Sequence, residues 1–334
     1  MINTLPKHRD DRVLIIDGLN TFMRVFSSIS NISHNGEFVG GILGMLRSIG
    51  VNIRQFNPTR CIIVFDGKGG SHRRRKIYPE YKGTRNRSTG MRNDIFKSVD
   101  EEKQAMRMNL IRTVEYLSQL PVEILTFDNI EADDTIAYIT STIFKNKSQI
   151  VRIVSTDRDF LQLISHNIEV YSPVKKKLYT EETLQDEFTL TSDEYLMYRV
   201  ISGDTSDNIP GIPGIGLKTF LKSFKHKSSI DQLMTECTDR INSKQSIYRK
   251  VIEHKDCIAR NYELMQLHDV DISAATKLKL FELIESPMTG KPYRVYEIKR
   301  MLVDDGIIDS FKNLDQWLLE TFSTLNVWID ATKR

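Results

Sequence analysis

Nine acidic side chains fall in five short clusters: Asp17, Asp66, the Glu131-Ala132-Asp133-Asp134 run, Asp157-Arg158-Asp159 and Asp204-Thr205-Ser206-Asp207. Each cluster stands where a strand is expected to end or a helix to begin. Carboxylates with no His or Cys at ligand spacing are a hard, all-oxygen donor set. They suit Mg²⁺, with Mn²⁺ as a substitute, better than zinc. Ions of this kind serve phosphoryl chemistry by clamping the attacking and leaving oxygens of a phosphodiester. Carboxylates brought this close also repel and raise each other's pKa, a cost that a bound cation removes. The expected substrate is a nucleic acid. For the Glu131 run a helix dipole would favour one or two acids by itself, but it does not account for a third, with Glu131 and Asp134 on one helical face at i and i+3.

The charge distribution points the same way. From Gly67 to Arg92 the chain carries Lys68, Arg73, Arg74, Arg75, Lys76, Lys82, Arg85, Arg87 and Arg92 against Glu80 alone, a net +8. The whole chain is +3, so the remainder is −5 by subtraction. Attraction for a polyanion is thus concentrated in one segment. The plain alternative is a solvated basic loop. The segment starts one residue after Asp66, however, and holds Tyr78 and Tyr81, whose rings could stack on unpaired bases. A second phosphate contact is expected at Gly214-Ile215-Gly216-Leu217-Lys218, where glycines precede a helix and let backbone N–H groups approach a phosphate, with Lys218 adding charge. A branched side chain at Gly216 is expected to block both the turn and that approach.

The elements that must hold these groups alternate. Apolar, β-rich runs at Val13–Ile16, Cys61–Phe65, Val122–Leu125, Ile150–Val154 and Ile168–Tyr171 read as strands. Helical patterns cover Gly41–Gln55, Asp100–Leu120 and Glu131–Phe144 between them, and Ser192–Ser202, Val295–Leu302 and Leu314–Leu325 beyond. Strands alternating with helices give an α/β fold, a mostly parallel twisted sheet with helices on both faces. In such sheets ligands gather at the carboxyl ends of the strands, where Asp17, Asp66 and Asp157 are expected together.

Taken in order, LIIDGLN, VFDGKGG with YPEYKGTR, IEADD, STDRDFLQL and GDTSDNIPGIPGIGLKT resemble the 5′-nuclease family of flap endonucleases and the 5′-3′ exonuclease domain of bacterial DNA polymerase I. The match runs from about Val13 to Phe220. A looser similarity around RNYELMQLHDVDIS and the tail through Trp317 is to the ribonuclease H of T-even-type bacteriophages, which removes RNA primers from lagging-strand fragments. The resemblance implies a catalytic domain over residues 1–190 with a helical arch at about 67–100. It implies a helical DNA-binding domain over 191–334, with a helix–three-turn–helix at about 200–225. It also implies two metal ions. Asp17, Asp66, Glu131 and Asp133 would hold the first, with Asp134 beside it; Asp157, Asp159, Asp204 and Asp207 would hold the second. Lys82 and Arg74 would stabilise charge on the scissile phosphate. Arg73, Arg75, Lys76, Tyr78, Tyr81 and Arg85 would contact DNA, as would Gly214, Gly216 and Lys218, with a K⁺ ion at that turn.

Further implied partners are DNA and RNA–DNA duplexes with 5′ ends or flaps, a single-strand binding protein and a sliding clamp, although Met1–Asp11 does not resemble a clamp-binding peptide. The enzyme is expected to be a monomer, freestanding from any polymerase. With 334 residues, 40% apolar and 27% charged, the chain suits one sizeable α/β domain and a smaller second one. No apolar stretch approaches the ~20 residues of a membrane span, and no signal peptide is visible, so a cytoplasmic protein is expected. Cys61, Cys237 and Cys257 have no ligand spacing and read as idle thiols. His72, close to a motif but without a partner at ligand spacing, reads as a loop contact. Two other readings of the same residues are a structure-specific endonuclease with little exonuclease action and a non-catalytic DNA-binding accessory. Nine retained acids argue against the accessory.

Overall fold

The structure, a computed structural model, describes residues 12–83, 92, 94–145, 147–243, 246–286 and 293–330, with side chains to 325. The α/β expectation holds. Six strands, β1 (Arg12–Asp17), β2 (Arg60–Val64), β3 (Glu123–Leu125), β4 (Ile150–Val154), β5 (Ile168–Ser172) and β6 (Lys177–Tyr179), form one sheet in the order β3-β2-β1-β4-β5-β6. Every pairing is parallel except β5 with β6. The short antiparallel β6 was not expected; its three residues are too few to show a period.

β1 is central because its side chains are apolar on both faces. Val13 and Ile15 join one buried cluster with Ile62 and Ile153, while Leu14 and Ile16 join the opposite one with Ile63 and Val154. Register then decides where the acids meet. Asp17 pairs with Val64, two residues before Asp66, and Ile16 pairs with Val154, three before Asp157. The three chain exits are therefore level.

On the second face lie α1 (Gly18–Ser28), α2 (Gly40–Phe56) and, after the short basic α3 (His72–Ile77), the long α4 (Val99–Leu117). α2 starts on Val39, which cannot cap. Asn109 of α4 does so instead, its Oδ1 accepting from the Gly41 and Ile42 N–H groups at 3.1 and 3.4 Å. On the first face are α5 (Ala132–Tyr138), α6 (Glu181–Phe188), α7 (Ser192–Ser202), α8 (Leu217–Ser223) and α9 (Ile230–Asp239), then α10 (Ser246–Glu253), α11 (Lys255–Met265) and α12 (Ala274–Glu285). α7 opens with a reciprocal cap: Thr191 accepts from Glu194 N–H, and the Glu194 carboxylate accepts from Thr191 N–H at 2.8 Å.

The expected block of 191–334 is divided between the two faces. α13 (Val295–Asp304) and α14 (Leu314–Asp330) return to the α2 side, where Leu302, Leu318 and Phe322 are buried with Ile49. Their apolar stripes need a partner surface, and α2 supplies it. Arg60 anchors the crossing. Its guanidinium is fully buried, paired with Glu123 at 2.7 Å, and donates to the Ile284 and Leu283 carbonyls that end α12.

Candidate active site

Asp17 is the last residue of β1 and caps α1, accepting from Asn20 N–H at 3.1 Å and from Ser155 Oγ at 3.0 Å. Asn20 in turn accepts from the Thr156 N–H and hydroxyl at 3.1 and 2.9 Å, tying the β1 exit to the loop after β4. That loop folds on itself: Asp157 N–H donates to Ser155 Oγ at 3.1 Å, and Asp157 Oδ1 accepts from Asp159 N–H at 2.8 Å. Asp66 accepts from Ala132 N–H at 2.7 Å, so it caps α5 and places Asp133 in the first turn beside it. The loop leaving Asp66 passes so close to the segment after β3 that a Cβ on Gly67 would lie 1.7 Å from the Phe127 carbonyl oxygen, which only glycine permits.

Asp17, Asp66, Asp133, Asp157 and Asp204 line one cleft of about 920 Å³ with Lys82 and Arg199. Burial, with neighbouring acids adding to it, raises Asp17, Asp133 and Asp157, and Asp159 beside them. Asp17 is pushed up to about 7 by burial, with Asp66 and Asp157 adding to it. Asp159 rises to about 7 by burial and the neighbouring Asp157. Burial raises Asp157 also, and Asp133 well above its ordinary value, with Asp157 the next cause. Closely spaced acids held in this unfavourable state are what a divalent cation relieves. Among the described residues no three acids, histidines or cysteines are drawn together tightly enough to enclose an ion by themselves. Mg²⁺ does not require that, since it keeps several waters and binds through one or two carboxylates. The donor set therefore fits Mg²⁺ or Mn²⁺ and offers nothing to a thiolate- or imidazole-seeking metal.

Four of the nine expected ligands are engaged by arginines instead. Arg74 is buried at 3% exposure and holds Asp134 through two bonds of 2.7 and 2.8 Å, binds Glu131, and donates to the Leu264 carbonyl at 2.8 Å. Arg199 binds Asp159 at 2.9 Å and also Asp204. Burial would raise Glu131, but Arg74 and Lys82 outweigh it and hold this acid low; burial would likewise raise Asp204, but Arg199 and Ser206 hold it low.

Residues 12–189 match the model of the 5′-3′ exonuclease N-terminal resolvase-like domain, and residues 190–286 match that of the 5′-3′ exonuclease C-terminal SAM fold. The chain belongs to the 5′-3′ exonuclease family. Among its relatives, the 5′-3′ exonuclease of Buchnera aphidicola subsp. Schizaphis graminum is 30% identical over 231 residues, covering 69% of this chain and 75% of that protein. Flap endonuclease Xni of Shewanella loihica is 28% identical over 277 residues, covering 82% of this chain and 97% of that protein. The flap endonuclease of bacteriophage T5, solved in a pseudo-enzyme–product complex with DNA and metal ions, has the same fold, with a TM-score of 0.62 at 19% identity over 88% of this chain and 99% of that one. The chain is an enzyme of the nuclease class.

Within this 5′-3′ exonuclease, several expectations for single residues change. Glu131 and Asp134 are not among the residues lining the cleft; both pair with the buried Arg74, and Glu131 also with Lys82, so that no buried charge is left unpaired. Arg74 is consequently not available to a scissile phosphate. Tyr81 is 3% exposed in the core beneath α5 and cannot stack on a base. The Tyr78 ring is covered by the Arg260 guanidinium, 4.5 Å from its centroid. Lys82 does reach the cleft. Its backbone is left-handed at φ 56°, its N–H donates to the Asp207 carbonyl at 2.9 Å, and its ammonium pairs with Glu131 at 2.5 Å. Asp207 is itself buried. Arg75, Lys76 and His72 are exposed on α3 and Arg73 is half-buried there; Arg85 lies outside the described residues, as does 84–91 of the expected arch.

The segment expected to make the second phosphate contact follows β7 (Gly203–Asp204) and β8 (Ile209–Pro210), a short hairpin leading to the 211–216 turn and α8. Gly214, Gly216 and Lys218 are exposed. Gly214 needs its glycine, at φ +87°, whereas a Cβ on Gly216 meets nothing within 4 Å. The expectation that a branched residue at Gly216 breaks the turn is therefore not met. Lys250 donates to the Pro213 carbonyl in this turn.

The residues that sequence reasoning missed are polar connectors. Arg199 is a single cation in the last turn of α7, a place where the helix dipole alone favours one. Gln162 links the site to α11, donating to Met265 O at 3.0 Å and accepting from Leu267 N–H at 2.8 Å. Asn261 bonds Val200 O at 3.0 Å and Pro210 O at 2.8 Å, holding the Asp204 hairpin. Single amides carry no spacing signal.

Proposed function

We propose that this enzyme hydrolyses phosphodiesters at the 5′ ends and flaps of DNA and RNA–DNA duplexes in a divalent-metal-dependent reaction. The observation that carries it is the convergence of Asp17, Asp66, Asp133, Asp157 and Asp204 with Lys82 on one cleft at the carboxyl edge of a parallel sheet. Asp17, Asp66, Asp133 and Asp157 would hold Mg²⁺ or Mn²⁺, which when bound supplies Lewis-acid chemistry to phosphodiester hydrolysis. Lys82, fixed by its own backbone and by Glu131, places a cation at the cleft to offset charge on the scissile phosphate. Exposed Arg75 and Lys76 draw the strand in, and the Gly214–Lys218 turn contacts duplex backbone without reading sequence. Removal of RNA primers during lagging-strand replication follows from the resemblance to the polymerase I exonuclease domain and the phage ribonuclease H. We assign the hydrolytic work to residues 1–190 and duplex grip to the region after 190, in a cytoplasmic monomer cooperating with a single-strand binding protein and a sliding clamp. The K⁺ expected at the helix–three-turn–helix would meet a turn whose Pro213 carbonyl already accepts Lys250.

Coverage of nearly the whole of a named flap endonuclease supports a second reading, internal cutting at the flap base with little exonuclease action. A 5′-labelled flap substrate with and without Mg²⁺ tests both. Short labelled products indicate exonuclease, a flap-length product endonuclease, and no Mg²⁺-dependent product refutes the proposal.

A further inference from the structure

Arg199 comes from the last turn of α7 with its side chain 15% exposed. Its Nε and Nη2 reach Asp159 Oδ1 at 3.1 and 2.9 Å, and Nη2 also binds Asp204 Oδ2. It thus bridges acids from two separate segments, the turn after β4 and the β7–β8 hairpin. Asp204 Oδ1 is meanwhile taken by the Ser206 N–H and hydroxyl, both at 2.7 Å. Arg24, Lys82 and Arg158 line the cleft as well, but among the described residues no arginine is hydrogen-bonded to Asp17, Asp66, Asp133 or Asp157. Direct guanidinium pairing is therefore confined to one half of the cleft.

We propose that Arg199 is a resident counter-cation that competes with a divalent ion for the Asp159–Asp204 half of the cleft, so that this half takes its ion weakly and the Asp17–Asp157 half fills first. The inference rests on the metal-dependent reading given above. A guanidinium fork within hydrogen-bond distance of two carboxylates cancels much of their pull on a second cation, and its planar geometry fixes their spacing. Arg199 is a positioning residue, acting through Asp159 and Asp204. A purely structural arginine would lower stability and cleavage together when removed; it would not tighten ion binding.

The test is Mn²⁺ binding to the DNA-free enzyme, followed by electron paramagnetic resonance of the free ion, for wild type, Arg199→Gln and Arg199→Lys, with folding checked by circular dichroism. Arg199→Gln should bind the weaker Mn²⁺ about tenfold more tightly, the scale of removing one unit charge from a partly buried site, while cleaving the 5′-flap substrate more slowly. Arg199→Lys, whose ammonium engages the two acids one at a time, should fall between, and it carries the test alone if the glutamine variant does not fold. Unchanged or weakened binding in the folded variants overturns the competition. A wild-type enzyme that neither binds Mn²⁺ nor cleaves removes the metal-dependent reading itself, and this proposal with it.

Discussion

Two cations of one basic segment have opposite fates, and they separate stability from catalysis at the level of single residues. Arg74 is spent on Glu131 and Asp134 in the interior, whereas Lys82 reaches the acid cleft. Replacing Arg74 by Met leaves two buried carboxylates without their guanidinium, so urea unfolding should show a loss of about 3–5 kcal/mol. A loss below about 1 kcal/mol would mean that the pair behaves as an exposed one. Lys82→Ala should cost less stability, because Glu131 keeps Arg74 as its partner, yet slow the chemical step at least ~10²-fold, the scale of one preorganised charge at a phosphoryl transition state. Single-turnover cleavage with enzyme in excess checks it. A wild-type rate once bound would reduce Lys82 to an electrostatic guide.

Among the elements, the turn before α8 offers a clean separation of folding from grip. Gly214 is left-handed and Gly216 is extended with open space at its Cβ. Gly214→Val should therefore lower the melting temperature through backbone strain of about 1–3 kcal/mol. Gly216→Val should melt like wild type but bind duplex more weakly, and equally so for unrelated sequences, because the proposed contact is with phosphates alone. Fluorescence anisotropy with two unrelated duplexes checks this. Unaltered isotherms for Gly216→Val would show that α8 does not approach the backbone.

Across the whole molecule, the acid cleft couples stability to pH and to metal. Asp17 and Asp159 titrate near 7 in the fold against about 3.8 when unfolded. Between those values the folded state binds more protons, so stability falls as pH rises, by up to ~1.4 kcal/mol per pH unit for each such proton. In EDTA the melting temperature should decline from pH 5 to pH 7 and level off above it. Mg²⁺ should restore more stability at pH 8 than at pH 5, and Asp17→Asn should flatten both trends. A metal-free melting temperature that rises steadily over this range would show that the cleft does not strain the fold.

Asp17, Asp66 and Asp157 could be read directly because each follows an apolar β-rich run, and the parallel α/β pattern itself requires the strand exits to share an edge. β1–β5, the helices at Gly40–Phe56 and Ser192–Ser202, and the Gly-rich turn were legible for the same local reason: period, cap and turn chemistry lie within a few residues of one another. Charge type was equally legible; charge partnership was not. Whether Arg74 faces a phosphate or Glu131, whether Tyr81 stacks on a base or fills the core, and whether Asp159 meets an ion or Arg199 depends on which side chains meet across gaps of many residues in sequence. The face on which α13 and α14 settle was hidden likewise, since an amphipathic stripe states that it needs a partner without naming α2. Composition and local pattern determined the chemistry available to this protein, and the tertiary structure decided which of its charges cancel in the interior and which remain for a substrate, because pairing and desolvation are properties of positions in space.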